Sequence, residues 1–565
     1  MQGNIRMEVK INKRKRNFVP ENINLDSWGD IESLFLLLLE EDIHTEADAK
    51  KWIRKMNELK AVLHQEKNMR YIHFTCRTDD TDRARRYRHF CREIEPKYKR
   101  EFQKLHHKLN QVPCREQMRH GEYSVYFKDV QKNRKVLHSR DLHLKVEESE
   151  AKAAYQRLTS KISISYREET LTRHEISGYL RSPDRTIRKE VWELEAAQWM
   201  RIQDEVEDIF TRLLHLRTQL AVRTGFANYM EYLFHAQKRV DYGPQDCASF
   251  HALCRKQIVP LLKNIQKERK TKLGIGVLKP FDLFCDEDGM EPLRPFQGTG
   301  ELMEKSRMVF SRIDPRFGDC FEILCRNGLM DLDSRQGKAP GSYCVNLEES
   351  GLPFIFMNAT GSQQDVITFL HEAGHAFHYL AMADSSHTSL PPLEMSELAA
   401  RGMEVMGVNH LDVFYNDADD TLWAGKQYFQ KMIARLTGIA HINSFEQWVY
   451  THPDHSVEDR REYWASLQHE YGGLVDYSNE LVKTTYHQTS LVFEAPFYFI
   501  TYAFAYAGAL QLLNIYQNNK QRCVDNYWNA LSLGGSEGLR NLYRAAGVEF
   551  GFPEEFVVQS IGKWT

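Results

Sequence analysis

The stretch Gly361–Leu380, GSQQDVITFLHEAGHAFHYL, determines how the rest of the chain is interpreted. Ser362 can cap the free N–H groups at a helix start, and Asp365, three residues later, completes a capping-box pattern. Apolar residues then recur at three- and four-residue spacing, which is the period of an α-helix with one buried face. The sequence therefore predicts a helix that carries the motif HEAGH near its middle.

The motif has the spacing of a metal site. His371 and His375 are four residues apart, so their imidazoles project from one face of the helix, about one turn apart. Neutral imidazole nitrogens bind zinc well, and a catalytic zinc usually takes three protein ligands and keeps one position open. Glu372 can reach a water at the metal and act as general base. We expect one zinc ion per chain, because these polar groups on an apolar-flanked helix would be costly unless paired or metal-bound.

The third ligand is expected on the next predicted helix, which includes Glu394–Glu404. We assign Glu397 as this ligand, and Glu394 remains an alternative. Glu404 lies two turns further along the face of Glu397, where it suits a hydrogen bond to a ligand imidazole. His378, close behind the motif, is expected to be structural or to support a ligand.

Length and periodicity predict a helical protein with more than one lobe. Single hydrophobic cores stop growing at roughly 250–300 residues, and this chain has 565. From about residue 26 to 235, apolar residues recur at helical spacing, as at Trp52, Met56 and Leu59, which predicts stacked amphipathic helices. Residues 272–300 are rich in loop-forming types. We therefore expect an N-terminal helical lobe over 1–270 and a catalytic lobe over 271–565, with an approximate boundary.

Two short apolar runs precede the motif. Tyr343–Leu347 and Leu352–Asn358 are joined by a turn-rich segment and predict a small antiparallel pair of strands. We expect the loop Gly341–Tyr343 and the strand ending at Asn358 to line the cleft, with Gly341 and Tyr343 binding substrate. An edge strand there could hold an extended peptide by main-chain hydrogen bonds. A purely structural hairpin is the alternative.

Charge and cysteine usage argue against several other classes of protein. There are 75 Lys and Arg against 78 Asp and Glu, a balance that does not favour a nucleic-acid partner. The basic run Lys10–Arg16 is interpreted as a solvated segment, with binding to an anionic surface as the alternative. The ten cysteines form no CxxC pair, and the first residues lack the apolar segment of a signal peptide. Reduced thiols in a cytoplasmic protein are expected.

One apolar stretch, Leu491–Leu513, is long enough to cross a bilayer. It carries Glu494 and Pro496 near its start and several tyrosines, which favours a buried segment beside a polar cavity. We therefore expect no membrane partner.

Taken together, these residues resemble the M3 family of zinc metallopeptidases, within its oligoendopeptidase F-like branch. The match is close over about 340–404 and 486–550 and weaker over the N-terminal half. Its pieces are the HEAGHAFH helix, the Glu397 and Glu404 helix, and the segments Pro340–Tyr343, Pro353–Ala359, Pro496–Ile500 and Leu533–Gly535.

The resemblance implies a mainly α, two-lobed, zincin-like fold with a small antiparallel β-sheet beside the active-site helix, enclosing a channel. It implies zinc held by His371, His375 and Glu397, with Glu372 as base. It also implies that the substrates are short unstructured peptides, because folded proteins cannot enter the channel. The oligomeric state stays open.

The sequence departs from the family at two positions. Members usually carry a His before an Ile-Phe pair and two tyrosines after Pro-Phe, where this chain has Leu491 and Phe499. The family uses that His and the tyrosines to bind substrate and stabilise the oxyanion. Tyr498 and Tyr502 are therefore the candidate catalytic donors, with Tyr502 on the helical face of Phe499. Losing one such donor typically costs ~10²–10³ in turnover, so we expect a slower enzyme.

Several alternatives remain open. His487 and Tyr506 are further candidates for the missing donors. Because of Leu491 and Phe499, the chain could also be a zinc-binding, weakly active or inactive peptide-binding homologue. An aminopeptidase with another HExxH architecture and a helical interaction protein with an accidental motif are the remaining rivals. The intact Glu372 favours an enzyme, because a structural zinc needs no base.

Overall fold

The structure is a computed structural model that describes residues 15–118, 142–287, 292–382 and 390–553. The expectation about a signal peptide and most of the basic run, Lys10–Arg14, lie outside these residues. Arg16 is described, and its guanidinium pairs with the carboxylate of Glu349 at 2.6 Å.

The described chain is mainly helical, which confirms the predicted fold class. The α-helices are Trp28–Glu40, Glu46–Cys76, Thr81–His89, Glu95–Leu109, Arg115–Met118, Leu142–Thr159, Arg173–Tyr179, Arg185–Arg201, Gln203–Arg223, Tyr229–Ala236, Pro244–Leu253, Val259–Lys272, Thr299–Ile313, Pro315–Arg326, Gln363–Met382, Leu393–Val408, Ala418–Thr451, Val457–Tyr471, Ser490–Glu494, Phe499–Asn518, Lys520–Leu533 and Leu539–Ala545. Short π-helical segments span Phe90–Ile94 and Cys254–Ile258, and 3₁₀ turns span Pro280–Leu283, Leu411–Val413, Glu480–Val482 and Thr485–Gln488.

Two small sheets interrupt the helices. Strands β1 (Ser163–Tyr166) and β2 (Glu169–Thr172) form an antiparallel hairpin within the region predicted to be almost entirely helical. Its turn residues, Arg167 and Glu168, both have positive φ, as a type I′ hairpin turn requires. Apolar alternation at Ile162–Tyr166 is the signal for this hairpin, and it is too short to stand out from a helical pattern.

The second sheet contains the predicted pair and one more strand. Strands β4 (Tyr343–Leu347) and β5 (Leu352–Ala359) pair antiparallel, as predicted, from Tyr343 opposite Phe356 to Leu347 opposite Leu352. Strand β3 (Met330–Asp333) pairs parallel with the other side of β5. The sheet order is therefore β3-β5-β4, and β5 is central and buried.

The chain divides into two compact units, each assembled from three separate segments. The first contains residues 1–131, 293–424 and 511–550, and the second contains 132–292, 425–510 and 551–565. This division differs from the two consecutive lobes expected around residue 270. Loop composition marks where a chain turns, whereas the units depend on which distant helices pack together.

In the first unit, the N-terminal helices form one hydrophobic cluster. The predicted apolar positions Trp52, Met56 and Leu59 are buried in it. The Trp52 indole donates a hydrogen bond to the Leu38 carbonyl, which ties two of these helices together at 2.8 Å.

The HExxH helix, Gln363–Met382, is central in the first unit. It packs against the carboxylate helix, Leu393–Val408, against β4 and β5, and against Lys520–Leu533. At Gly374 the two site helices approach so closely that a Cβ atom would lie 2.7 Å from the Ala399 carbonyl oxygen and the Ala400 Cα. This glycine allows both helices to present side chains to one centre.

Two further expectations concern the whole described chain. None of the ten cysteines, all of which are described, forms a disulfide. Among the helices that are described, none combines the length and apolar character needed to span a membrane, and this includes Phe499–Asn518.

Candidate active site

The HExxH helix begins with the capping box that the sequence predicts. The Ser362 hydroxyl accepts a hydrogen bond from the Asp365 N–H at 3.3 Å, and the Asp365 carboxylate accepts one from the Ser362 N–H at 2.9 Å. These reciprocal bonds satisfy two of the N–H groups left free at a helix start. The helix therefore has a fixed register from its first turn.

The structure brings together His371, His375 and Glu397. Their ligand atoms all lie within 4.8 Å of one another, and no other such cluster occurs in the part of the chain that is described. His371 Nε2 is 3.8 Å from Glu397 Oε2. Tetrahedral zinc with ligand bonds of about 2.0–2.2 Å separates its ligand atoms by roughly 3.4 Å, so this donor set has a suitable size and chemistry. Burial also lowers the pKa of His375 well below its usual value, which favours the neutral imidazole that metals bind.

Glu404 lies behind His371. Its Oε1 accepts a hydrogen bond from His371 Nδ1 at 2.6 Å and another from the Arg401 guanidinium at 2.6 Å. A carboxylate that accepts from Nδ1–H fixes the ring orientation and leaves Nε2 as the donor atom for a metal. Glu394 and His378 are also buried, but neither belongs to the cluster.

The carboxyl of Glu372 is buried beside this cluster. Burial raises its pKa, while the charge of His371 and a hydrogen bond from the Ser342 hydroxyl oppose that rise. The sequence predicted Ser342 in a loop lining the cleft but indicated no contact with Glu372. No local spacing connects a loop residue to a helix position 30 residues later, so this contact could only come from the fold.

The loop before β4 is held in place by the end of β5. The Asn358 amide donates hydrogen bonds to the carbonyls of Ala339 at 2.9 Å and Gly341 at 3.0 Å. Gly341 has a φ of 93°, a conformation that L side chains rarely adopt. Its predicted contact with substrate stays a prediction.

Tyr343 is engaged by neighbouring side chains. Its hydroxyl is 2.6 Å from the Thr75 hydroxyl, and its ring stacks on Phe356 with centroids 4.7 Å apart. Successive residues of a strand face opposite sides of the sheet, so Cys344 faces away from Tyr343. Burial, and then the nearby charge of Glu372, raise the pKa of the Cys344 thiol. Cys344 is therefore the β4 side chain near the candidate base, and binding of substrate by Tyr343 stays a prediction.

Two family models match the chain over most of its length. Peptidase family M3 matches residues 178–304 and 315–560, and the Peptidase M3 N-terminal domain matches residues 27–137. The chain belongs to peptidase family M3. This confirms the family that the motif and its neighbouring segments resemble.

A curated relative of this M3 chain is the group B oligopeptidase PepB of Streptococcus agalactiae serotype III (strain NEM316). The two are 21% identical over 393 residues, which is 68% of this chain and 63% of PepB. The match thus spans less than two thirds of the length of that relative.

Solved structures share the fold of the M3 chain. A protein assigned as oligoendopeptidase F aligns with a TM-score of 0.86 at 22% identity, over 97% of this chain and 98% of that one. PZ peptidase A with an inhibitor aligns with a TM-score of 0.86 at 23% identity, over 97% of this chain and 98% of that one. At these identities the likeness establishes the fold.

The candidate tyrosines of the M3 chain lie in the second unit. The rings of Tyr498 and Tyr502 are 5.4 Å apart, and those of Phe499 and Tyr502 are 6.3 Å apart. These three side chains are half-buried at the start of Phe499–Asn518, between residues that are fully buried. Leu491 is half-buried in the short helix before them. The catalytic roles of both tyrosines stay predictions.

His487 and Tyr506 have internal partners. His487 is fully buried, and its Nε2 lies 3.1 Å from Glu207, which also pairs with Arg460. Tyr506 is 2% exposed and accepts a hydrogen bond from Arg435. Both side chains are buried and engaged by these partners, and their roles as substitute donors stay predictions.

Proposed function

We propose that this M3 chain is a zinc-dependent endopeptidase that hydrolyses short peptides. The observation that carries the proposal is the cluster of His371, His375 and Glu397, with Glu372 beside it and Glu404 behind His371. The preference for short peptides is supported by relatives named oligopeptidase and oligoendopeptidase.

Zinc would be held by His371 Nε2, His375 and Glu397. When bound, it would polarise the substrate carbonyl and lower the pKa of a water molecule. Burial of the site strengthens both effects, because the charges are poorly screened there.

Glu372 would take a proton from the attacking water and give it to the leaving amine. The Ser342 hydroxyl would orient this carboxylate. Strand β4 lies at the edge of its sheet, so one row of its main-chain groups could pair with an extended peptide. Tyr502, with Tyr498, would donate a hydrogen bond to the developing oxyanion, a role that rests on the family resemblance.

The test separates metal binding from turnover. Glu372→Gln should reduce cleavage of N- and C-blocked peptides by at least about 10²-fold, because the base is lost while the ligands remain. Zinc content should stay near one per chain. Glu304→Gln, at an exposed position of the helix Thr299–Ile313, is a matched control that should behave as the parent.

A chelator should abolish internal cleavage by the parent protein, and zinc should restore it. Full activity of Glu372→Gln would contradict the proposed base. Zinc bound without any cleavage would instead favour a peptide-binding homologue, and Leu491→His with Phe499→Tyr would then be the first reversion.

A further inference from the structure

The loop that precedes β4 in the first unit is held by a buried lysine. The side chain of Lys338 is fully buried, and its ammonium group lies 2.9 Å from the Asp331 carboxylate. The same group donates hydrogen bonds to the carbonyls of Asp331 at 3.0 Å, Asp333 at 2.8 Å and Met357 at 2.6 Å. These acceptors satisfy all the donors of a charge that would otherwise be costly to bury. Because the carbonyls belong to β3 and β5, Lys338 fastens the loop to two neighbouring strands.

The residues on both sides of Lys338 are fixed as well. The Gly337 carbonyl accepts a hydrogen bond from the Thr78 N–H at 2.7 Å, and the Ala339 N–H donates one to the Thr75 carbonyl at 2.8 Å. Both partners lie at the end of the helix Glu46–Cys76 or just after it. The first half of the loop is therefore held by its main chain and by the lysine together.

Asn358 fixes the second half of the loop. Its amide donates hydrogen bonds to the carbonyls of Ala339 and Gly341. Tyr343 then begins β4, where it pairs with the central strand. Ser342 therefore lies between two residues whose positions are fixed.

This serine connects the loop to the candidate base. Ser342 is exposed, and its hydroxyl donates a hydrogen bond to the buried carboxylate of Glu372. Strand β4 packs directly on the HExxH helix, so the loop at its start lies beside that helix. A hydroxyl can hold a carboxylate in one orientation only where its own backbone is fixed, and the loop supplies that condition.

We propose that Lys338 is a positioning residue for the catalytic base, and that Asn358 assists it. The lysine fixes the loop 337–342, and the Ser342 hydroxyl then orients Glu372. Lys338 would not touch substrate, because its side chain is fully buried. The inference rests on the proposed function, in which the base takes a proton from the attacking water, a step that depends on alignment.

The test is a double-mutant cycle on kcat, measured with an N- and C-blocked peptide. Ser342→Ala should lower kcat by about tenfold, as expected for loss of a hydrogen bond to a charged group. Lys338→Met should lower kcat by a similar factor, because the hydroxyl is present but no longer held in place. In the double variant the second change should lower kcat by less than about twofold, since both changes remove the same contact. A merely structural role of the lysine would not produce this loss of effect.

Two further variants make the result specific to the loop. Asn358→Ala removes the second anchor and should also lose its effect in the Ser342→Ala background. Lys108→Met is the matched control, because the Lys108 ammonium also binds backbone carbonyls in the first unit, at Leu38 and Leu39. This control should lower the midpoint of thermal unfolding and leave kcat as in the parent.

Lys338→Met is expected to fold. The Asp331 carboxylate keeps a bidentate pair with Arg335, with both contacts at 2.6 Å, so its charge stays compensated. Zinc content and the midpoint of thermal unfolding are measured for every variant. If Lys338→Met does not fold, the cycle with Asn358→Ala decides the question.

The outcomes separate the positioning role from the proposed function. If the losses of kcat multiply in the double variant, the lysine and Ser342 act independently, and the positioning role is overturned. An unchanged kcat in both Lys338→Met and Asn358→Ala would overturn it as well. In either case cleavage by the parent leaves the proposed endopeptidase intact. Failure of the parent to cleave any peptide would instead contradict the proposed function, and the positioning role with it.

Discussion

At the scale of single residues, the orientation of His371 depends on Glu404. The Glu404 carboxylate accepts a hydrogen bond from His371 Nδ1 at 2.6 Å and a second one from the Arg401 guanidinium. The His371 ring therefore has one hydrogen-bonded orientation. Outer carboxylates of this kind orient a ligand imidazole and raise its basicity.

Glu404→Gln should therefore weaken zinc binding by about 10–100-fold while the three ligands remain. Competition with a chromophoric chelator measures the affinity, and Glu304→Gln serves as the exposed control. The midpoint of thermal unfolding, measured for each protein, distinguishes a loss of metal affinity from a loss of folding. An affinity within twofold of the parent would show that Glu404 does not support His371.

Glu446 gives a residue-scale prediction about pH. Burial raises the pKa of this fully buried carboxyl to about 8, although Arg239 and Arg217 oppose the shift. Between its ordinary value of about 4.5 and 8, the folded chain holds a proton that the unfolded chain releases. Stability therefore falls as pH rises through this window, by about 1.4 kcal/mol per pH unit at most.

Glu446→Gln should remove this dependence. The variant should match the parent near pH 4.5 and become progressively more stable than it towards pH 8, with a constant difference above that. Denaturant midpoints of both proteins across this pH range measure the difference in stability. The other titrating groups are the same in both proteins, so their contributions cancel. A difference that is flat with pH would contradict the assignment.

At the scale of elements, the site depends on how closely two helices approach. Gly374 lies against the backbone of the carboxylate helix at Ala399 and Ala400. That approach places Glu397 near the histidines of the HExxH helix.

Gly374→Ala should force these helices apart. We expect destabilisation of about 1–3 kcal/mol, as for overpacked cores, together with weaker zinc binding because Glu397 moves away from the histidines. Gly300→Ala is the control, since its added Cβ meets nothing within 4 Å and should be neutral or slightly stabilising. Unfolding midpoints and zinc titrations measure both effects, and wild-type values for Gly374→Ala would refute the close approach.

At the scale of the whole molecule, each unit is assembled from three stretches of chain. Residues 293–424 hold the metal cluster, but the first unit also contains the N-terminal helices and residues 511–550. A cut near residue 270 would separate segments of both units.

Fragments 1–270 and 271–565 should therefore fail to fold on their own. Each would expose apolar faces that are buried in the intact chain, so we expect no cooperative thermal transition and no stoichiometric zinc in 271–565. The intact chain is the reference. A cooperative transition in either fragment would instead support the two consecutive lobes that loop composition predicts.

The sequence by itself determined the features that depend on local spacing. The capping box at Ser362, the helical face shared by His371 and His375, and the strands β4 and β5 follow from periods of a few residues. The spacing from the HExxH motif also favoured Glu397 over Glu394 as the third ligand, because it is a spacing that zinc peptidases use.

Only the tertiary structure decided the features that depend on distant contacts. Ser342 contacts Glu372, β3 pairs parallel with β5, and Cys344 rather than Tyr343 is the β4 side chain near the base. The segments of each unit likewise come from helices far apart in the chain. Such contacts have no sequence period, because packing of whole elements and not local backbone preference selects them.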